Sequence, residues 1–107
     1  MIATTPDQIN AILAARVLHW RVTPDRFLTG DRGWLPRWKF QPTRKLADAI
    51  RLLEAADAKE YSVGADTNGD FRARVRIGGA TAEAHANTKP LAICLAVAAA
   101  VGIEFDQ

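Results

Sequence analysis

The run LAICLAVAAAV, Leu91 to Val101, constrains this chain more than any other feature. Pro90 suits the first turn of a helix and Gly102 its end, so the run reads as the last helix of the chain. That helix is apolar on every side, and a single sheet face can bury only one of them. It must therefore lie between layers or pack against a copy of itself. It is also far shorter than the ~20 residues that span a bilayer. It is a core helix.

A sheet for it to pack on is visible next to it. In GDFRARVRIGG, Gly69 to Gly79, the apolar Phe71, Ala73, Val75 and Ile77 alternate with Arg72, Arg74 and Arg76. Period two marks a strand with one buried and one solvated face. EYSVGAD precedes it as a partner strand, joined through Asp66-Thr67-Asn68-Gly69. Asn-Gly between extended runs signals a hairpin, because both residues tolerate positive φ. Gly78-Gly79 ends the second strand, and ATAEAHANTKP then reads as a polar loop.

Two helices are expected earlier in the chain. Thr5 caps the first, Pro6 suits its first turn and Gln8 completes a capping box. Ile9, Ile12, Leu13, Val17 and Trp20 recur at helical spacing, so this helix runs to between Trp20 and Val22, ahead of Thr23-Pro24. The second begins at Thr43, with Leu46, Ala49, Ile50, Leu53 and Ala56 as its buried stripe. Between them, residues 23–42 lack any sustained period and read as an irregular segment pinned by Phe27, Trp34, Trp38 and Phe40, with a short strand at Trp38 to Phe40. The order is helix, irregular segment, helix, hairpin, helix. It predicts an α/β chain of the α+β type: a small sandwich of three helices packed on an antiparallel sheet built around a hairpin. At 107 residues a single domain spanning 1–107 is expected.

Three stretches carry a family likeness. TPDQINAILAARVLHW, FQPTRKLADAIRLLE and AHANTKPLAICLAVAAAVG resemble the phage ABA sandwich domain family, small proteins encoded by phages and prophages. The likeness runs along most of the chain. It is most distinctive in the polar Thr-x-Pro-Leu-Ala-Ile-Cys lead into the Ala-rich helix, and loose in the irregular segment and hairpin. It implies a compact α/β sandwich and no established biochemical activity, so no catalytic residue carries over. It also implies the role common among small phage accessory proteins, which is to block a host process or defence.

Arg72, Arg74 and Arg76 would set three guanidinium forks in a row, usable on phosphates or carboxylates. A solvated strand face explains the same residues and is the simpler account. A second wall for an anion would come from Gly78-Gly79, directly after the arginine strand, together with Asn87, Thr88 and Lys89 at the start of the last helix, where N–H groups and the dipole favour negative charge. Capping by Asn87 or Thr88 is the plainer role there. Trp34 and Trp38, interleaved with Arg32, Arg37 and Lys39, are candidate interface anchors or base-stacking platforms, or else a cover over one end of the core.

Several chemistries are set aside. DTNGD is not a calcium loop: its glycine falls at the fourth position, and Ile77 occupies the twelfth. The phosphate-loop spacing is absent. His19 and His85 lack metal-ligand neighbours, and Ser62 lacks a nucleophile-elbow setting. Cys94, the only cysteine, lies in an apolar helix and should be inert; it allows no disulfide within the chain and suits a reducing cytoplasm. A net charge of +2 is too mild to imply a dedicated nucleic-acid binder, and MIATTPDQIN has no basic region followed by a hydrophobic stretch, so no signal peptide is expected. The expected protein is non-enzymatic, cytoplasmic, and free of metal and cofactor. It binds a host or phage protein through the aromatic segment and the exposed part of the last helix, as a homodimer. The alternatives are sequestration of an anionic small molecule, such as a nucleotide signal, and a structural role in the virion.

Overall fold

The apolar helix lies between layers, the first of the two arrangements its sequence allows. The computed structural model describes residues 5–30, 33–66 and 68–103. In it α3 (Lys89–Ala100) crosses an antiparallel sheet of β4 (Ala58–Ala65), β5 (Phe71–Ile77) and β6 (Ala80–Ala86), in the order β4-β5-β6. Two more helices, α1 (Pro6–Arg16) and α2 (Leu46–Ala55), pack against α3 in turn. Ala92, Ile93, Cys94, Ala96, Val97 and Ala98 are all buried, so α3 finds its cover within one chain. They share a core with Ile9, Leu13, Leu52, Leu53, Ala73 and Val75. The described residues form three α-helices and two three-stranded antiparallel sheets, an α+β sandwich.

β6 departs from the expected polar loop. Ile77 pairs with Ala80, so Gly78-Gly79 is a two-residue hairpin turn, with Gly78 at φ +60°. Beyond it Thr81, Glu83 and His85 alternate with the less exposed Ala82, Ala84 and Ala86. Alanine has low strand propensity, which hid the period; here it lets the Ala-rich α3 come close. The β4–β5 hairpin is present as expected, though its turn is not the two-residue kind. Among the described turn residues Gly69 adopts positive φ and Asn68 does not, and the Gly69 N–H donates to the Asp66 carbonyl at 3.3 Å. Thr67 lies outside the described residues.

The first helix ends earlier than its spacing implied, at Arg16 rather than near Trp20. Its start follows the sequence: Thr5 Oγ1 accepts from Gln8 N, and the Gln8 side chain accepts from Thr5 N. At the far end His19 takes φ 59°, and Trp20 N–H turns back to the Ala14 carbonyl at 3.0 Å. This drops Trp20 onto Phe27 and Phe40, with ring centroids 5.7 and 5.1 Å away, closing a second aromatic core. Packing the half-buried Trp20 on the two buried phenylalanine rings outweighs one more helical turn.

The segment expected to be irregular supplies two of the three strands of a second, small sheet. β1 (Arg21–Val22), β2 (Arg26–Leu28) and β3 (Trp34–Pro36) pair antiparallel in that order. The expected strand at Trp38 is instead a 3-10 turn, Arg37–Lys39. Strands this short carry too little pattern to be seen against a background of prolines and glycines. The second helix also starts later than Thr43, at Leu46, whose side chain is exposed rather than part of the stripe. Leu52 takes its place in the core beside Ala49 and Leu53. Asn10, buried on α1, accepts from Thr43 N at 3.1 Å and ties the first helix to the lead-in of the second.

Candidate functional site

Strand alternation divides the larger sheet sharply. Ala73 and Val75 are buried under α3, which leaves Arg72, Arg74 and Arg76 on the face with no helix over it among the described residues. Register sets Glu60, Ser62 and Gly64 beside them on β4, and Thr81, Glu83 and His85 on β6. Arg72 donates to Glu83 Oε1 at 3.1 Å, and Arg76 lies 3.7 Å from Glu60 Oε1. Arg74, opposite Ser62 and Glu83, makes no ion pair or side-chain hydrogen bond with another described residue. Two open concavities, about 380 and 360 Å³, share Ser62 and Arg74 as lining. His85 completes the face, with Nδ1 3.0 Å from Asp66 Oδ2 and Nε2 3.8 Å from Glu83 Oε1. Exposed pairs of this kind contribute at most ~1 kcal/mol each.

The second wall does not join this face. Thr88 is the N-cap of α3, its Oγ1 accepting from Leu91 N at 3.3 Å. Lys89 Nζ sits 5.6 Å from the centre of the Phe71 ring, and Phe71 belongs to the helix-side set of β5. Thr88 and Lys89 are thus on the side of the sheet opposite the arginines. The Gly78-Gly79 turn directly follows the arginine strand, but it lies at the other end of β6 from Thr88, roughly 20 Å along the strand, so the glycine pair and the helix start do not converge. Arg72, Arg74 and Arg76 are brought together; Thr88 and Lys89 are not added to them. Thr88→Ala should lower the unfolding free energy by about 1 kcal/mol, measured by urea denaturation, as loss of a cap does.

The aromatic segment splits into an inside and an outside. Phe27 and Phe40 are fully buried, while Trp34 and Trp38 remain 54% and 61% exposed. The expectation that all four rings pin the segment is therefore corrected for the two tryptophans. For Trp34 the reason is strand parity: Phe27 faces Leu35 across the ladder, which turns Trp34, opposite Leu28, the other way; Trp38 sits outside the ladder, on the 3-10 turn that follows β3. Arg37 is structural. Its guanidinium lies 5.2 Å from the Phe27 ring, donates to the Thr23 carbonyl at 2.9 Å and pairs with Asp7 Oδ2 at 3.1 Å. Lys39 Nζ lies 5.5 Å from the Trp38 ring, and the Arg26 guanidinium 4.7 Å from that of Trp34. Arg26 escaped the sequence reading because it is eight positions from Trp34; only the β2–β3 ladder brings them together. Arg26 also hydrogen-bonds Asp25 and, with the Thr23 hydroxyl, holds that carboxyl below its ordinary range. Arg32 lies outside the described residues.

The remaining reactive side chains are scattered. Ser62 is on the arginine face, His19 at the turn after α1, and Cys94 in the core. Burial pushes the Cys94 thiol far above its ordinary range, so little thiolate forms at neutral pH. Cys94 should resist a thiol reagent in the native chain and react at an ordinary rate once urea unfolds it, as a colorimetric thiol assay would show. Among the described residues no group of three or more His, Cys, Asp or Glu could hold a metal ion, and no helix is long and apolar enough to cross a membrane.

A helical layer on one face of a three-stranded antiparallel sheet, with a small aromatic-cored sheet beside it, defines a small α+β sandwich protein. Its family can be stated: the phage ABA sandwich domain matches residues 11–98, so the chain belongs to that family of small phage proteins. The fold recurs in the crystal structure of a phage protein from Bacillus cereus ATCC 14579. That protein is 22% identical, with a TM-score of 0.79 over 99% of this chain and 95% of the other. No curated protein matches significantly.

Proposed function

We propose that this phage protein acts by binding another protein, without catalysis, and that Trp34 and Trp38 are its anchors. One observation carries the reading. The chain packs Trp20, Phe27 and Phe40 ring on ring, yet leaves two neighbouring indoles more than half exposed on the strand and turn beside them. Large aromatics left in water are costly to keep there, and tryptophan is enriched among residues that dominate binding energy. Short strands and the Arg37 contacts hold the backbone beneath them, so little ordering remains to be done on binding.

The partner that fits is a host or phage protein offering apolar pockets for the indoles and carboxylates for Arg26 and Lys39. Interference with a host process or defence is the role in keeping with the family. Sequestration of a free anion is the weaker reading, because Arg72 and Arg76 already face carboxylates and the start of α3 lies on the other side of the sheet. The test is stoichiometric co-purification of one partner with the wild-type chain, and its loss when both indoles become alanine.

A further inference from the structure

A separate surface, independent of the tryptophans, points to self-association. β4 is an edge strand, and no described backbone hydrogen-bonds to its free side. It is also overhung: α3 lies mainly against β5 and β6, so the inner face of β4 is poorly covered. Tyr61, opposite Val75 on that face, stays 49% exposed, and Val63 is half-buried beside it. Free edges are normally guarded by charge, proline or a bulge. Here the irregularity and the charges, Lys59 and Glu60, sit at one end. The stretch Tyr61 to Ala65 carries none of these guards.

We propose that a second copy of this chain pairs antiparallel along β4, joining two three-stranded sheets into one of six strands. Antiparallel partners must share a face, so a two-fold axis passes through a residue rather than between two. Centred on Ser62, the pairing sets Tyr61 opposite Val63 of the second copy, Glu60 opposite Gly64, and Ser62 opposite itself. Aromatic against β-branched is a favourable cross-strand pair, and no like charges meet. The two exposed tyrosines then fill the trough between the two helical layers. β6 is the poorer edge, since its inner face offers only alanine methyls already under α3. Joining β4 to β6 of another copy would be head-to-tail and would not close.

Sedimentation velocity on the full chain at rising concentration tests this. The wild type should be a reversible dimer. Ser62→Asp faces Arg74 within its own sheet, so the fold is retained, but two carboxylates then meet at the axis. Self-association should weaken roughly tenfold or more. Ser62→Lys should do the same, and an equimolar mixture of the two variants should restore dimers. Tyr61→Ala, which leaves the ladder intact, should weaken the dimer several-fold. A wild type that stays monomeric at high concentration overturns the proposal. So does a Ser62→Asp chain that dimerises like the wild type, or a mixture that stays monomeric.

Discussion

Phe27→Ala should lower the unfolding free energy by about 3–5 kcal/mol, the largest effect expected of any single substitution in this chain. Phe27 is fully buried, 5.7 Å from the Trp20 ring and 5.9 Å from that of Phe40, and the Arg37 guanidinium lies 5.2 Å from it. Alanine would leave a cavity that the short strands β1 to β3 cannot collapse to fill, because their ladder holds Val22 and Leu35 in register on either side. A domain of this size has ~5–15 kcal/mol of stability in all, so much of it would go. Urea denaturation followed by tryptophan fluorescence would measure the loss, and Trp20 serves as a probe within the same cluster. A change under about 1 kcal/mol would mean that the aromatic cluster is not a packed core.

The second large effect falls on binding rather than stability. Trp34→Ala and Trp38→Ala should each weaken partner binding by about 2 kcal/mol, close to thirtyfold. Each should move stability by no more than about 0.5 kcal/mol, because both indoles are more than half exposed and their ring contacts are with solvated cations. Titration calorimetry against the purified partner reads the first quantity and thermal unfolding the second. Binding and stability falling together would mark the indoles as structural instead. The contrast with Phe27, on the adjacent strand of the same small sheet, is what makes the pair of results informative.

How far this was legible from sequence depended on the length of each pattern. The capping box at Thr5, the apolar run of α3 and the period of β5 are strong local signals, and each stands in the fold as its residues imply. Where tertiary packing overrides local pattern, the reading failed. α1 stops at Arg16 because Trp20 is worth more against Phe27 and Phe40 than in another helical turn. β6 was hidden because its inner face is built from alanine, chosen for closeness to α3 rather than for strand propensity. The small sheet consists of strands of two or three residues, too short to show a period.

The candidate site was legible in its parts but not in its assembly. The arginine row is a single surface, as alternation implied. That Thr88 and Lys89 lie across the sheet from it depends on β6, the strand whose alanines mask its period, which carries the chain to the far end before α3 begins. Trp34 and Trp38 were visible as candidates. The exposure of Trp34 follows from the β2–β3 register and that of Trp38 from the 3-10 turn after β3, neither of which any stretch of sequence displays on its own.

The most direct test of the central claim is side-by-side capture from a lysate of phage-infected bacterial cells. Three chains would be compared: the wild type, Trp34→Ala/Trp38→Ala, and Arg72→Ala/Arg74→Ala/Arg76→Ala. Binding through the indoles predicts one protein held stoichiometrically by the wild type and the arginine variant, and missing from the tryptophan variant. The claim is contradicted if the tryptophan variant holds that protein as well as the wild type does, or if no chain holds any.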